Sequence, residues 1–267
     1  MSSTSKTAIS IVSIGSGNIA HHFIPALHKI GCKIIQVYSR KQENAQRLAY
    51  KVEAKACTEL DKINKEADLY LIMVSDDAIP EVITQLPTLG PTQILAHTSG
   101  ATPTLPLKQK AVNIGSFYAL HSFKKNIKKD LTEVPFLILG NNAETTRSLR
   151  MLARQLSPRV IEVTDKNRLR YHLAAVLINN FTNHLACLTN SFLDEHQLDP
   201  SILKPIVAST FDKILTQDPC KNQTGPAKRN DIEIEKKHLQ LIQDKPYLIA
   251  IYKSLSQSIK KSSSEKK

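Results

Sequence analysis

The sequence predicts an α/β first half, a doubly wound and mostly parallel sheet, followed by an all-α second half. Three observations predict it. Short apolar, β-branched runs alternate with helical patterns from residue 8 to residue 163. The first of these runs feeds directly into a glycine-bearing turn and then a helix. Beyond Thr164 the strand patterns stop, and long segments of helical periodicity take over. Alternation of strand and helix is the mark of a parallel sheet with crossover helices. We place a domain boundary at Thr164, giving a first domain at 1–164 and a second at 165–259. The basic, serine-containing tail at 260–267 reads as disordered.

The first strand and its turn organise the rest. Residues 8–14 are apolar and β-branched, and too few for a buried helix. They lead into Gly15-Ser16-Gly17-Asn18-Ile19-Ala20. Gly15, Gly17 and Ala20 fit the G-x-G-x-x-G/A pattern of dinucleotide-binding, Rossmann-type folds. In that pattern the first glycine makes the tight turn and the second lets the backbone approach a pyrophosphate. The third small residue lets helix pack on strand. The free amides of the new helix then face the phosphates. An ordinary βα turn could hold two glycines, but here a strand precedes, a helix follows, and a second strand comes at the right distance.

The first helix, 18–30, places Ile19, Phe23, Ala26, Leu27 and Ile30 on one face, and Gly31 ends it. The second strand, 33–38, ends in Ser39-Arg40. Sites for NAD place an acid there to hold the ribose 2′-hydroxyl. Sites for NADP have a neutral residue and a nearby Arg for the 2′-phosphate. Ser39 and Arg40 therefore point to NADP(H) rather than NAD(H). The competing reading is an exposed arginine closing a loop.

A helix at 41–51 and a weak strand at 54–57 follow. The strong strand at 68–74 runs through Val74 into Ser75, and Asp77 is placed to cap a helix at 79–86. A strand at 94–96 ends in His97-Thr98-Ser99-Gly100, and one at 113–120 ends in His121-Ser122-Phe123. In open α/β sheets ligands bind in the crevice at the carboxyl ends of strands. Val74, Ser75, His97 and Ser99 are accordingly expected at the cofactor, and His121 as a candidate for proton transfer. Strands at 134–139 and 159–163, with a helix at 143–156, complete the sheet.

The second half reads as helices at 165–193, 201–215, 232–242 and 246–259. The segment around 171–184 is apolar nearly all round, which suits a helix buried between subunits or domains, and predicts a homodimer. At about 100° per residue, His172, Asn179, Asn183 and Asn190 fall within roughly 20° of one direction. Buried amides must be hydrogen-bonded, so this stripe either bonds to other helices or lines a polar cleft. In a cleft, Asn179 and Asn183 would orient a substrate, and His172 would give or take a proton. The polar loop Gln223-Thr224-Gly225-Pro226-Ala227-Lys228-Arg229-Asn230-Asp231 leads into a helix. Thr224, Arg229 and Asp231 could contact the substrate, although Asp231 reads equally well as an N-cap.

The composition narrows the function classes. The 267 residues are 41% hydrophobic and 22% charged, ordinary values for a soluble chain. No apolar run approaches a membrane span. Residues 1–7 are polar and lack the apolar core of a signal peptide. Cys32, Cys57, Cys187 and Cys220 have no metal-type spacing, which suggests reduced thiols, a cytoplasmic location and no metal site. The net charge is +12, and residues 104–170 hold thirteen Lys/Arg against five Asp/Glu. Aromatic content is 5% with no Trp, and no nucleic-acid recognition motif accompanies the charge. A solvated basic face that favours a phosphate-bearing cofactor or an acidic small molecule is the simpler account.

Taken together, these pieces resemble the Rossmann-like and DUF2520 domain-containing family of short-subunit dehydrogenase-like oxidoreductases, in the form found in Bacteroidetes-type bacteria. The resemblance rests on the glycine turn, His97-Thr98-Ser99-Gly100 and His121-Ser122-Phe123. It rests also on His172-Leu173-Ala174-Ala175-Val176 with Asn179-Asn180-Phe181-Thr182-Asn183-His184, and on the 223–231 loop. It implies an NADP-type domain followed by a helical domain that usually dimerises. That helical domain is similar in layout to those of 6-phosphogluconate dehydrogenases, β-hydroxyacid dehydrogenases and pyrroline-5-carboxylate reductases. One departure matters. β-Hydroxyacid dehydrogenases carry a catalytic Lys three residues before an Asn-Asn pair, and Val176 stands there in this chain. The lysine mechanism does not carry over, and His172 is the nearest ionisable group. The expected activity is hydride transfer between NADP(H) and a small substrate. The alternative is a dinucleotide-binding sensor without turnover.

Overall fold

In the computed structural model, which describes residues 8–264, one sheet dominates the first half. Its strands are β1 (Ser10–Ile14), β2 (Lys33–Tyr38), β3 (Lys55–Cys57), β4 (Leu69–Ile72), β5 (Ile94–His97), β6 (Asn113–Ala119), β7 (Phe136–Gly140) and β8 (Val160–Glu162). Their order is β3-β2-β1-β4-β5-β6-β7-β8. Every neighbouring pair is parallel except β6 and β7. The chain steps outward from β1 to β3, then returns to place β4 on the other side of β1. That reversal opens a crevice at the carboxyl end of β1. At the opposite end of the two strands, Ser10 N–H and Oγ–H both donate to Asp68 Oδ2 at 2.8 and 2.6 Å, fixing the register of β1 on β4.

Strand side chains alternate between two apolar layers. Ile11 and Leu71 enter one layer, and Val12, Ile14, Tyr70 and Ile72 the other. The first layer is covered by α1 (Asn18–Lys29), α2 (Gln42–Tyr50) and α4 (Ala143–Leu156), the second by α3 (Ile79–Gln85). On α1 the buried residues are Ala20, Phe23, Ile24 and Leu27, with Ile19, Ala26 and Ile30 at the margin. Phe23 packs on Phe117, Phe123 and Phe136 at ring distances of 5.9, 5.7 and 5.5 Å. Asp77 does not cap α3. The chain enters that helix through a 3₁₀ turn, Asp76–Ala78, closed by Ala78 N–H to Ser75 O at 3.0 Å. Asp77 is already inside helical backbone, and the N-cap residue is Ala78, without a side-chain bond.

The second half is helical: α5 (Asp165–Ala175), a π-helical turn (Val176–Phe181), α6 (Thr182–Glu195), α7 (Lys204–Thr216), α8 (Pro226–Arg229), α9 (Ile232–Leu241) and α10 (Pro246–Ser264). Three expectations change here. The helix predicted at 165–193 is broken by the π turn, whose wider winding shifts the angular phase of everything after it. The short α8 was not anticipated. Residues 260–264, expected as disordered tail, continue α10. Residues 1–7 and 265–267, also part of the sequence reading, lie outside the described residues. By contact the chain forms two compact units, 1–179 and 180–267.

The first unit extends past Thr164 because α5 is bonded to the sheet. Thr164 caps α5 through Asn167 N–H at 3.2 Å. Arg168 is fully buried, an unusual place for a guanidinium. Its Nη1 donates to Ser116 Oγ at 3.0 Å and to Asp165 Oδ1 at 2.6 Å, and its Nη2 donates to the Thr102 carbonyl. Asp165 Oδ2 in turn accepts from Thr104 N–H and Oγ–H at 3.1 and 3.0 Å. Arg168→Leu would leave Ser116, Asp165 and the Thr102 carbonyl short of a donor. We expect a loss of about 3 kcal/mol, read as a lower urea midpoint, and an unchanged midpoint would contradict this account.

Candidate functional site

The glycine turn works through two different glycines. Gly15 has φ +124°, and a Cβ there would lie 2.4 Å from the Met73 carbonyl oxygen. The fold itself therefore requires glycine, since neither the backbone angle nor the space admits a side chain. Gly17 is different: a Cβ would meet only Met73 O, at 3.6 Å, an ordinary contact. Nothing in the protein's own packing demands glycine at 17, which leaves the approach of a ligand as the reason. Gly17 is also the N-cap of α1, with no side-chain cap bond and no acidic residue in the first turn. The leading amides of α1 are thus without a side-chain acceptor and open to an anion.

A cleft of about 470 Å³ lies on this turn. Gly15, Ser16, Gly17, Asn18, Ile19, Ser39, Arg40, Val74 and Ser75 line it, so nine residues expected at the cofactor share one cavity. Arg40 is exposed and takes part in no ion pair among the described residues. Leu60, Ala78 and Val82 give the cleft an apolar wall, and Asn44, Glu81 and Gln85 add polar groups. His121, Phe123 and Lys125 line it as well. Burial chiefly, helped by the charges of Lys129 and His22, holds His121 below the usual histidine pKa.

His172 sits elsewhere in the first unit. Its Nδ1 is 3.1 Å from Tyr118 Oη, and a Cβ on Gly100 would lie 2.5 Å from that same nitrogen. Tyr118 is buried, and burial, with the charge of Asp76, pushes its pKa up to about 12. The phenol therefore stays neutral, and its hydroxyl and His172 Nδ1 share one hydrogen bond. Tyr118 was not singled out from the sequence. The available signal was a polar pair, Ser116 and Tyr118, two residues apart on an otherwise apolar strand.

Comparison with known proteins places this arrangement. A family described as NADP oxidoreductase coenzyme F420-dependent matches residues 10–98, and the domain of unknown function DUF2520 matches residues 134–259. A crystal structure of a Bacteroides fragilis protein assigned as an NADP oxidoreductase is 34% identical. The match covers 95% of this chain and 98% of that one, with a TM-score of 0.88. The chain belongs to this DUF2520 family of NADP oxidoreductases. A Thermotoga maritima protein at 22% identity shares the fold, with coverage of 95% and 99% and a TM-score of 0.77. So does a reductive aminase from Aspergillus terreus, solved with NADPH and ethyl-5-oxohexanoate, at 12% identity, coverage of 97% and 95%, and a TM-score of 0.72. No curated protein matches the chain.

Several expected site residues of this oxidoreductase lie outside the cleft lining. His97 is fully buried, and its Nδ1 accepts from Ser99 N–H at 3.2 Å. Ser99 Oγ accepts from Ala101 N–H and Thr102 N–H at 3.1 and 2.9 Å, so it closes its own loop. Asn179 and Asn183 are exposed, the first in the π turn and the second in α6, so the 100° alignment with His172 does not persist through the π winding. In the second unit Asp231 caps α9, accepting from Ile234 N–H at 3.3 Å, while Thr224 and Arg229 are exposed. Among the described residues no His, Cys, Asp or Glu group could hold a metal. Among the described residues no helix is long and apolar enough to cross a membrane. Cys32 and Cys57 are buried, Cys187 and Cys220 are exposed, and all four are free.

The burial of His97 has a measurable consequence. Desolvation, with the nearby Arg168 charge, lowers its pKa to about 4 against the opposing charge of Asp165. The unfolded chain then binds the extra proton first, so this contribution to stability is complete above about pH 6.5 and disappears as pH falls through about 4. Between pH 7.5 and pH 5 the wild type should lose about 2 kcal/mol through this group. Urea unfolding of His97→Gln should show a correspondingly flatter pH dependence, and identical slopes would remove His97 as the cause.

Proposed function

We propose that this oxidoreductase binds NADP(H) in the glycine-turn cleft and transfers a hydride between nicotinamide and a small carbonyl, hydroxyl or imine substrate. The observation that carries this reading is Gly17: an N-cap glycine that the fold does not need, in front of helix amides that lack a side-chain cap. Residues 1–164 would be the dinucleotide-binding domain, and 165–259 the domain for substrate and dimerisation.

The fit can be followed group by group. The Asn18 and Ile19 amides face a pyrophosphate with the positive end of α1 behind them. Ser39 and Arg40 stand where the ribose 2′-position falls, and no acid occupies that place. Arg40, in no ion pair among the described residues, would hold a 2′-phosphate through charge-assisted bonds. The apolar wall of Leu60, Ala78 and Val82 accepts a flat base. When bound, the nicotinamide supplies the hydride chemistry, and the protein supplies orientation and a proton. Of the histidines offered by the sequence, His121 is the one that lines this cleft. It is neutral near pH 7 and suited to give or take the accompanying proton. His172, held by its hydrogen bond to Tyr118 in the first unit, is assigned to orienting the substrate.

Titration with NADPH and NADH tests the reading. Wild type should prefer NADPH, and Arg40→Ala should lose about 2 kcal/mol of that preference. Gly17→Val should remain folded and lose binding of both nucleotides, because its side chain would occupy the space of the pyrophosphate. Equal wild-type affinities would end the NADP assignment, and a Gly17→Val protein that still binds would end the site.

The same reading includes a homodimer through the helical half. Leu173, Leu177 and Ile178 are each exposed by more than half, as are Ile202, Ile206 and Leu215, and α6 and α7 contain no buried residue. Exposed apolar faces of this kind support the reading of an interface. Multi-angle light scattering should give the mass of a dimer, and a monomer persisting at high concentration would contradict it.

A further inference from the structure

We infer that Lys125, carried on a strap that leaves the carboxyl end of β6, is a second cationic contact for the dinucleotide, at its pyrophosphate and separate from Arg40. The inference rests on the reading of the glycine-turn cleft as the dinucleotide site.

The strap meets the cleft with every second residue. His121, Phe123 and Lys125 line it together with Gly17, Asn18 and Ile19. Alternation of this kind is what a near-extended segment produces when it crosses a surface. The strap is also fastened. Phe123 is 8% exposed, with its ring 5.7 Å from Phe23, 5.0 Å from His22 and 5.1 Å from His121. His22 Nε2 donates to the Lys124 carbonyl at 3.0 Å. Phe23 and His22 belong to α1, so the segment bearing Lys125 is pinned to the helix whose first amides face the cleft.

Lys125 is exposed and, like Arg40, is in no ion pair among the described residues. Its charge is felt at the start of α1. His21, whose Nδ1 lies 3.1 Å from the Gly17 carbonyl, is held below its usual pKa by burial first, then by Lys125 and Lys51, against the raising effect of that carbonyl.

The chemistry calls for such a cation. A helix N-terminus offers hydrogen-bond donors but only about half a positive charge. A pyrophosphate brings about two negative charges, and residues 15–19 contain no basic side chain. Arg40 stands at the end of β2, on the ribose side. A lysine on the strap from β6, which lies on the other side of β1 from β2, would supply the missing countercharge as a point charge, with no demand for planar geometry.

The experiment uses the full chain, with binding of NADPH and NADH measured by calorimetric titration and folding checked by thermal melts. Lys125→Ala should weaken both nucleotides by the same factor, about tenfold, because the pyrophosphate is common to them. Lys125→Arg should restore most of the affinity. His22→Ala should give a smaller loss, and no further loss when combined with Lys125→Ala, since it acts by releasing the strap. Unchanged affinity in a folded Lys125→Ala would overturn the inference. So would a loss confined to NADPH, which would put the ammonium at the 2′-phosphate instead. A wild type that binds neither nucleotide defeats the cleft reading itself, and with it this inference, before any variant is compared.

Discussion

The close passage of the chain leaving β1 between the ends of β2 and β4 is the constraint on which the first half depends. Gly15 N–H donates to Tyr38 O at 3.0 Å on one side, and its missing side chain leaves room for Met73 O on the other. Met73 N–H in turn donates to Ile14 O at 2.7 Å. The backbone is threaded between two strand ends, with no space for a methyl group and at a φ that L-residues avoid. Because the chain can leave the sheet only here, α1 begins at the switch point, with its first amides aimed into the crevice. Site and fold share a residue at Gly15, while Gly17 belongs to the site alone.

A second constraint joins sheet to helix. Ser116 and Tyr118 are two residues apart on β6, and their partners Arg168 and His172 are four apart on α5. Two strand residues advance about 6.6 Å and four helix residues about 6 Å, so the two polar pairs keep step along the contact. The upper pair closes over Gly100, whose lack of a side chain admits the His172 ring beside Tyr118. The lower pair buries a full guanidinium, whose two terminal nitrogens bond to a hydroxyl, a carboxylate and a carbonyl while Nε has no partner among the described residues. Such a buried charge is tolerated only with partners of this quality, which makes α5 hard to dock in any other register.

What the sequence revealed follows the range of the interactions. The glycine turn, Arg40 and the helix at 143–156 depend on neighbours within a few residues, and they were legible. His97 and Ser99 were expected at the cofactor because they follow a strand, but a position at a strand end does not say which way a side chain turns. His97 turns into the protein and lies beside Arg168, a residue from a helix far along the chain. The stripe from His172 to Asn183 assumed uniform winding, and the π turn at Val176–Phe181 breaks that assumption with no local sign such as Pro or Gly. Tyr118 and Lys125 became visible only when β6 was set beside α5 and α1.

The net charge also takes on a more specific meaning. Several basic residues are balanced nearby: Arg150 pairs with Glu162, Lys129 with Glu133, Lys260 with Glu235, and Arg168 with Asp165. Arg40 and Lys125 are in no ion pair among the described residues, and both line the same cleft. Two cations on the lining of one cavity raise its positive potential, which an entering anion lowers. Glu81 is the one carboxylate beside them on the lining of the cleft, among the described residues. A neutral ligand would gain nothing from this field, whereas a polyanion with phosphates at both positions would relieve it. A cleft with Arg40 and Lys125 on its lining therefore favours a phosphate-bearing ligand over a neutral one.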